Sequence, residues 1–252
     1  MKHLLICILA IFSGVLVASA QNSEELWDKA NTAYYNEDYA GAVALYDSIE
    51  QQGVASAELY YNMGNAYFRA GRIGKSILYY NKAQKLAPAD RDIAYNLEIA
   101  NTFTRNKIEP IPEFFLRRWM RSLGSMMSAN GWAVASLVLF GLALAGLLLF
   151  LLPLRQRARK GGFYGGVAAL ILLVFALSFA VVSHRESVRS TQGIVTAPSA
   201  SVKSSPDSAG KDLFLIYEGA RVTVRDELGS WCEITIADGN RGWIKASTIE
   251  MI

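Results

Sequence analysis

Two long uncharged stretches dominate the hydropathy pattern. Trp132 to Leu152 runs for 21 residues without a charge, and Gly161 to Ser183 runs for 23. As a helix the first is about 30 Å long, the thickness of a bilayer's hydrocarbon core. Arg155, Arg157, Arg159 and Lys160 lie between the two runs with no acidic neighbour. The pattern predicts a two-helix transmembrane hairpin with spans at 132–152 and 161–183. The basic loop, 153–160, is expected on the cytoplasmic side, where short Lys/Arg-rich loops stay. The segments before and after the hairpin then share the outer side.

Ahead of the first span, Phe114, Phe115, Trp119, Leu123, Met126 and Met127 alternate with Arg117, Arg118 and Arg121. That alternation suits a helix lying in the membrane interface, within a linker segment 106–131 that Glu109-Pro110-Ile111-Pro112 stiffens. The chain opens with Lys2, an apolar run from Leu4 to Val17, and Ala18-Ser19-Ala20. These read as a signal peptide over 1–20, cleaved to leave Gln21 or retained as an anchor. Either form exports the segment that begins at Gln21. The expected location is the inner (cytoplasmic) membrane, with two spans and periplasmic soluble parts.

From Ser23 to Pro88 the amphipathic pattern repeats with a fixed period. Ala30-Asn31 returns as Gly64-Asn65, Tyr34 as Phe68, Ala42 as Ser76 and Tyr46 as Tyr80. A period of about 34 residues built from helix pairs is the tetratricopeptide (TPR) signature. The second unit is similar to that family at Tyr60, Met63, Gly64, Tyr67, Gly71, Ser76, Tyr80, Ala83 and Pro88. Small residues let paired helices approach, and proline ends the second helix. The first unit carries Glu37 at the turn glycine and Val54 at the proline. A third copy begins at Asp90 and stops, so 90–105 reads as a capping helix closing an α-helical TPR solenoid over 23–105.

The TPR resemblance implies a concave groove lined by the first helix of each pair. Its candidate peptide-binding residues are Trp27, Asn31 and Tyr34 in the first unit, Tyr61, Asn62, Asn65 and Phe68 in the second, and Tyr95 in the third. Such a groove is aromatic, with amides able to pair with a ligand backbone. The same aromatics equally suit inter-repeat packing. Acids at the second position of each unit, Glu24, Glu58 and Asp92, either attract a basic peptide or complement a helix amino terminus. A TPR subclass clamps a terminal carboxylate with cationic side chains and two asparagines. Asn31 and Asn62 match the asparagines, but Trp27, Asp92 and Asn96 stand where cations belong, which argues against a clamp.

After His184 the pattern changes to short alternating runs: Ala220–Val224, Trp231–Ile236 and Gly242–Ile244, separated by turn signals at Glu227-Leu228-Gly229 and Asp238-Gly239-Asn240. The Ser/Ala/Pro/Gly-rich stretch 196–212 reads as loop. About 60 residues of short strands predict a small all-β barrel over 190–252. Ile194-Val195, Glu218-Gly219, Gly229-Ser230-Trp231, Asp238-Gly239 and Gly242-Trp243-Ile244 resemble a bacterial SH3-like domain. That resemblance implies peptide or cell-wall binding, with Trp231 and Trp243 either forming a ligand surface or packing inside.

Charge is strongly segregated. Residues 21–113 carry 13 acids and 9 bases, net −4; residues 114–185 carry 8 bases and no acid, net +8; residues 186–252 carry 9 acids and 7 bases, net −2. The positive excess sits at the membrane, where anionic lipid attracts it. Neither soluble part has the basic surface of a nucleic-acid binder. Loss of Cys7 with the signal leaves Cys232 alone, which excludes a disulfide within the mature chain; its strand-like surroundings suit a buried small apolar side chain. The histidines are His3 and His184 alone. The pattern therefore offers no Cys–His pair, no metal cluster, and no lysine-bearing phosphate loop at Gly161-Gly162 or Gly165-Gly166. Neither an enzyme nor a cofactor is expected.

The order of parts (signal, short TPR array, basic hairpin, SH3-like barrel) resembles the TPR/SH3 membrane protein, BatE type, of the Bacteroides aerotolerance (Bat) operon family. That resemblance implies a non-catalytic adaptor in an envelope stress or aerotolerance complex. Its implied partners are other envelope proteins, including von Willebrand A-domain membrane proteins and a MoxR-type ATPase system. The alternative is an anchor that binds peptidoglycan through the SH3-like domain.

Overall fold

The computed structural model describes residues 23–105, 108, 114–152, 155–188 and 191–252. The expected signal over 1–20 and the proline linker Glu109–Pro112 lie outside the described residues. The chain forms two compact units. Of the described residues, one holds 23–84, 91–105, 108 and 192–252, and the other holds 85–90, 114–152, 155–188 and 191.

The first unit starts with helices α1 (23–35), α2 (Tyr39–Gln51), α3 (Ala57–Arg69), α4 (Ile73–Leu86) and α5 (Arg91–Thr102). Local chemistry starts them. Asp38 Oδ1 accepts the Gly41 N–H at 2.9 Å to cap α2, and Ser56 Oγ accepts the Leu59 N–H at 3.0 Å to cap α3. The two helix pairs turn alike: Asp38 N–H donates to the Ala33 carbonyl and Arg72 N–H to the Tyr67 carbonyl, both at 2.9 Å. Each turn needs one residue in the left-handed region, Glu37 at φ 63° and Gly71 at φ 73°. Ala30, Ala42, Tyr46, Leu59, Met63, Ala66, Ile77, Leu78 and Tyr80 are buried between the helices. Gly64 lies flat against the Tyr80 ring, and Ser76 Oγ donates to its carbonyl oxygen at 2.9 Å.

Among the described residues, seven antiparallel strands complete this unit: β1 (Gln192–Val195), β2 (Ser199–Lys203), β3 (Asp212–Tyr217), β4 (Arg221–Leu228), β5 (Trp231–Thr235), β6 (Arg241–Lys245) and β7 (Ile249–Met251). Their order is β3-β2-β6-β5-β4-β1-β7. Alternate residues, among them Ala200, Val202, Val222, Val224, Cys232, Ile234 and Ile244, build the core of the sheet. The stretch 196–212, expected as loop, contains β2. Ala200 and Val202 point inward between Ser199, Ser201 and Lys203, and pairing with β3 makes the strand despite its composition.

The second unit holds α6 (Phe115–Gly124), α7 (Ala129–Leu151) and α8 (Gln156–Val188). Helices α7 and α8 pack tightly where glycines meet: a Cβ at Gly146 would lie 2.6 Å from Gly166 Cα and 2.8 Å from the Gly162 oxygen. Trp132 stacks on Phe179 with ring centroids 5.0 Å apart, and its Nε1 donates to the Gly124 carbonyl at 2.9 Å. Both helices are long and apolar enough to cross a membrane, and they leave large apolar side chains such as Leu137, Leu147, Ile171 and Val174 exposed. The basic loop expected over 153–160 is mostly helix. Arg157, Arg159 and Lys160 form the opening turns of α8, because no glycine or proline interrupts these good helix formers before Gly161.

Candidate functional site

The candidate groove residues sit on α1, α3 and α5. In the first pair, Trp27 is half-buried and meets Tyr46 edge-on at 5.8 Å. Asn31 Oδ1 accepts the Tyr46 hydroxyl at 2.6 Å. Tyr34 meets the Tyr39 ring at 5.4 Å, and the Arg69 guanidinium lies 4.8 Å above that same ring.

The second pair repeats the arrangement. Tyr61 tilts against Tyr80 at 6.0 Å, and Asn65 Oδ1 accepts the Tyr80 hydroxyl at 2.6 Å. Asn96 on α5 joins in, its Nδ2 donating to the Tyr61 hydroxyl at 2.9 Å and to Asn65 Oδ1 at 3.1 Å. Phe68 meets Phe103 edge-on at 5.2 Å, and Asn62 is half-buried. Tyr95 is 65% exposed. So Tyr61, Asn65 and Asn96 come together in one network across α3, α4 and α5. Trp27 and Tyr61 rest on the second helix of their own pair, and Tyr95 presents its ring openly.

Burial sets the electrostatics. Loss of solvent around Tyr46 disfavours its phenolate and pushes it up to about 12, and the same cause raises Tyr34 and Tyr80. These phenols are therefore neutral donors. Because Asn31 and Asn65 spend their carbonyls on tyrosine, each keeps its Nδ2 without a hydrogen-bond partner among the described residues. Neither Nδ2 is a buried unsatisfied atom.

Sequence reasoning missed Asn96 as a participant; it read that position only as a departure from a carboxylate clamp. The available signal was the repeat, since Asn96 occupies the position of Asn62 one period on. It also missed Tyr35 and Phe103, exposed rings beside Tyr34 and Phe68 respectively.

In the sheet, Trp231 takes the packed one of the two alternatives open to it: it is buried, with 9% exposure. It alternates with the inward residues Cys232 and Ile234, so it lies on the other face of β5, and that face is covered there. Trp243 on β6 is half-buried and stays partly open, beside Glu233 and Lys203 on the adjoining strands. The Cys232 thiol is buried, and desolvation raises its pKa, with Glu227 adding to the effect. Among the described residues, no three His, Cys, Asp or Glu side chains gather as a metal site.

Among the described residues, a helical repeat array is joined to a seven-stranded antiparallel sheet. The tetratricopeptide repeat family matches residues 57–90, which hold α3 and α4, and the bacterial SH3 domain family matches residues 198–250. No curated protein matches the chain. The two families suggest a protein-binding or cell-wall-binding adaptor, and both are typically non-catalytic.

Proposed function

We propose that this chain is a non-catalytic, membrane-anchored adaptor that binds a partner segment in its TPR groove. The carrying observation is the repeated amide: Asn31 and Asn65 are turned alike by Tyr46 and Tyr80, leaving Nδ2 donors at equivalent positions of successive pairs. Two donors one repeat apart, beside the rings of Trp27, Tyr34, Tyr61, Phe68 and Tyr95, suit the backbone carbonyls and side chains of an extended peptide. Helices α7 and α8 anchor the chain in the inner membrane, with both binding modules on the periplasmic side. The order of its parts supports a place in an envelope stress or aerotolerance complex, beside von Willebrand A-domain membrane proteins and a MoxR-type ATPase system.

Aromatic anchors commonly carry about 2 kcal/mol each in an interface. Tyr95→Ala, alone and with Tyr61→Ala, is expected to reduce co-purification of membrane partners from crosslinked membranes while helicity persists. Variants that fold and keep every partner would remove the groove from consideration.

A second reading rests on the partly open Trp243 within the bacterial SH3 match, and makes the chain a peptidoglycan-binding anchor. Sedimentation of the detergent-solubilised chain with isolated peptidoglycan, lost on Trp243→Ala, distinguishes it.

A further inference from the structure

The second helix pair lacks a device that the first one has. Asp38 caps α2, but the equivalent position of the second repeat is Arg72. Arginine has no acceptor to offer the open amides at the start of α4. A carboxylate from the far end of the chain takes the place: Glu218 Oε2 accepts the Gly74 N–H at 3.1 Å. Glu218 lies in the turn between β3 and β4. Its negative charge also faces the positive end of the α4 dipole.

The same face of α4 meets the sheet between Gly74 and Asn81. A Cβ at Gly74 would lie 3.0 Å from the Val195 carbonyl oxygen, so sheet backbone comes within reach of the helix there. Lys75 Nζ pairs with the Glu250 carboxylate at 2.7 Å. Ile77 sits under Gly219, where a Cβ would be 2.7 Å from Ile77 Cδ1 and 2.5 Å from Thr104 Cγ2. Asn81 is buried; its Nδ2 donates to the Ile77 carbonyl at 2.6 Å, and its Oδ1 accepts from the Arg221 guanidinium on β4. Positions 74, 77 and 81 recur at helical spacing, so they share one face. Apolar contacts follow the polar ones. Ile194 of β1 is fully buried in the core of the helical array, and Ile252 packs against that core too. Ile108, beyond α5, packs against the core of the sheet.

We infer that the carboxy-terminal SH3-like sheet is a built-in partner of the TPR array, docked on the outer face of α4 and supplying the cap that its second repeat lacks. Two repeats and a capping helix fall short of the three repeats that such arrays need to stand alone. The docked sheet adds the missing burial, so the two modules form one cooperative body although residues 111–191 separate them in sequence. This holds whatever ligand the groove on α1, α3 and α5 takes.

The test uses the full-length chain in detergent. Zero-length carbodiimide coupling is expected to join Lys75 to Glu250 within monomeric protein, as a linked peptide pair that Lys75→Ala abolishes. Hydrogen exchange supplies the second readout. Glu218→Ala with Arg221→Ala is expected to speed exchange of the first-turn amides of α4 about five- to tenfold, with β5 and β6 still protected. Absence of the link, a link formed only between two chains, or unchanged α4 exchange in the folded double variant would overturn the inference.

Discussion

The Tyr80 hydroxyl donates to Asn65 Oδ1 at 2.6 Å, and one repeat earlier Tyr46 donates to Asn31 Oδ1 at the same distance. Each bond ties the second helix of a pair to the first, and each fixes the orientation of an asparagine amide. Asn65 also accepts from Asn96, which draws α5 onto α3. A neutral hydrogen bond of this kind contributes about 1 kcal/mol net. Its larger effect is positional, because the amide can no longer flip.

The buried tyrosines predict an alkaline limit to stability. Burial raises Tyr46 from the ordinary 10 to about 12, and raises Tyr67, Tyr79 and Tyr80 in the same direction. A raised folded-state pKa means that the unfolded chain loses its protons first. The stabilisation is therefore fully present below pH 10 and is lost as the pH rises from 10 through about 12. Helical circular dichroism should fall cooperatively in that window. A chain that keeps its helicity above this window would show that these phenols are not held neutral by the fold.

Gly64 is a packing requirement. A Cβ there would meet Tyr80 Cδ1 at 2.5 Å and Cε1 at 2.6 Å, and the Tyr80 ring is itself buried. Gly64→Ala should lower stability by about 1–3 kcal/mol despite the higher helix propensity of alanine. The midpoint of thermal unfolding, followed by helical circular dichroism, checks it.

Glu37 occupies a left-handed backbone position at φ 63°, where the second repeat places Gly71 at φ 73°. Only glycine adopts that region without a steric cost. Glu37→Gly should therefore raise stability, by up to about 1 kcal/mol, and Gly71→Ala should lower it by a similar amount. Urea unfolding of both variants against the parent chain measures the pair.

The single body formed by the TPR array and the sheet, with the basic residues at the start of α8, predicts the membrane topology. Both modules must lie on the same side of any bilayer that α7 and α8 cross. Cysteines placed at Ser56 and Ser208 in a Cys232→Ser background should both label with an impermeant maleimide in spheroplasts. A cysteine at Gln156 should stay unlabelled until the membrane is opened. Labelling at Gln156 with protection at the other two positions would invert the assignment.

The features legible in the sequence were those written in neighbouring residues. The repeat period places Gly64 and Ser76 at small positions because helix pairs need them there, whatever surrounds the array. Two long uncharged runs announce α7 and α8 in the same way. Composition misled where pairing overrode it. Strand β2 is Ser199-Ala200-Ser201-Val202-Lys203, and only its ladders to β3 and β6 make it a strand. The basic stretch after 155 looked like a loop but continues helically into α8.

Tertiary structure alone decided which polar groups meet. Nothing near Glu218 marks it as the cap of a helix 144 residues away, and nothing near Asn81 foretells Arg221. Alternation leaves Trp231 open to either a surface or a packed role, and the fold buries it. Sequence by itself determined the helical repeats, the apolar hairpin and the β character of the carboxy terminus, because helix period, strand alternation and hydrophobic length are local. The union of array and sheet required residues far apart in the chain to arrive together, and that depends on the shapes of two completed surfaces.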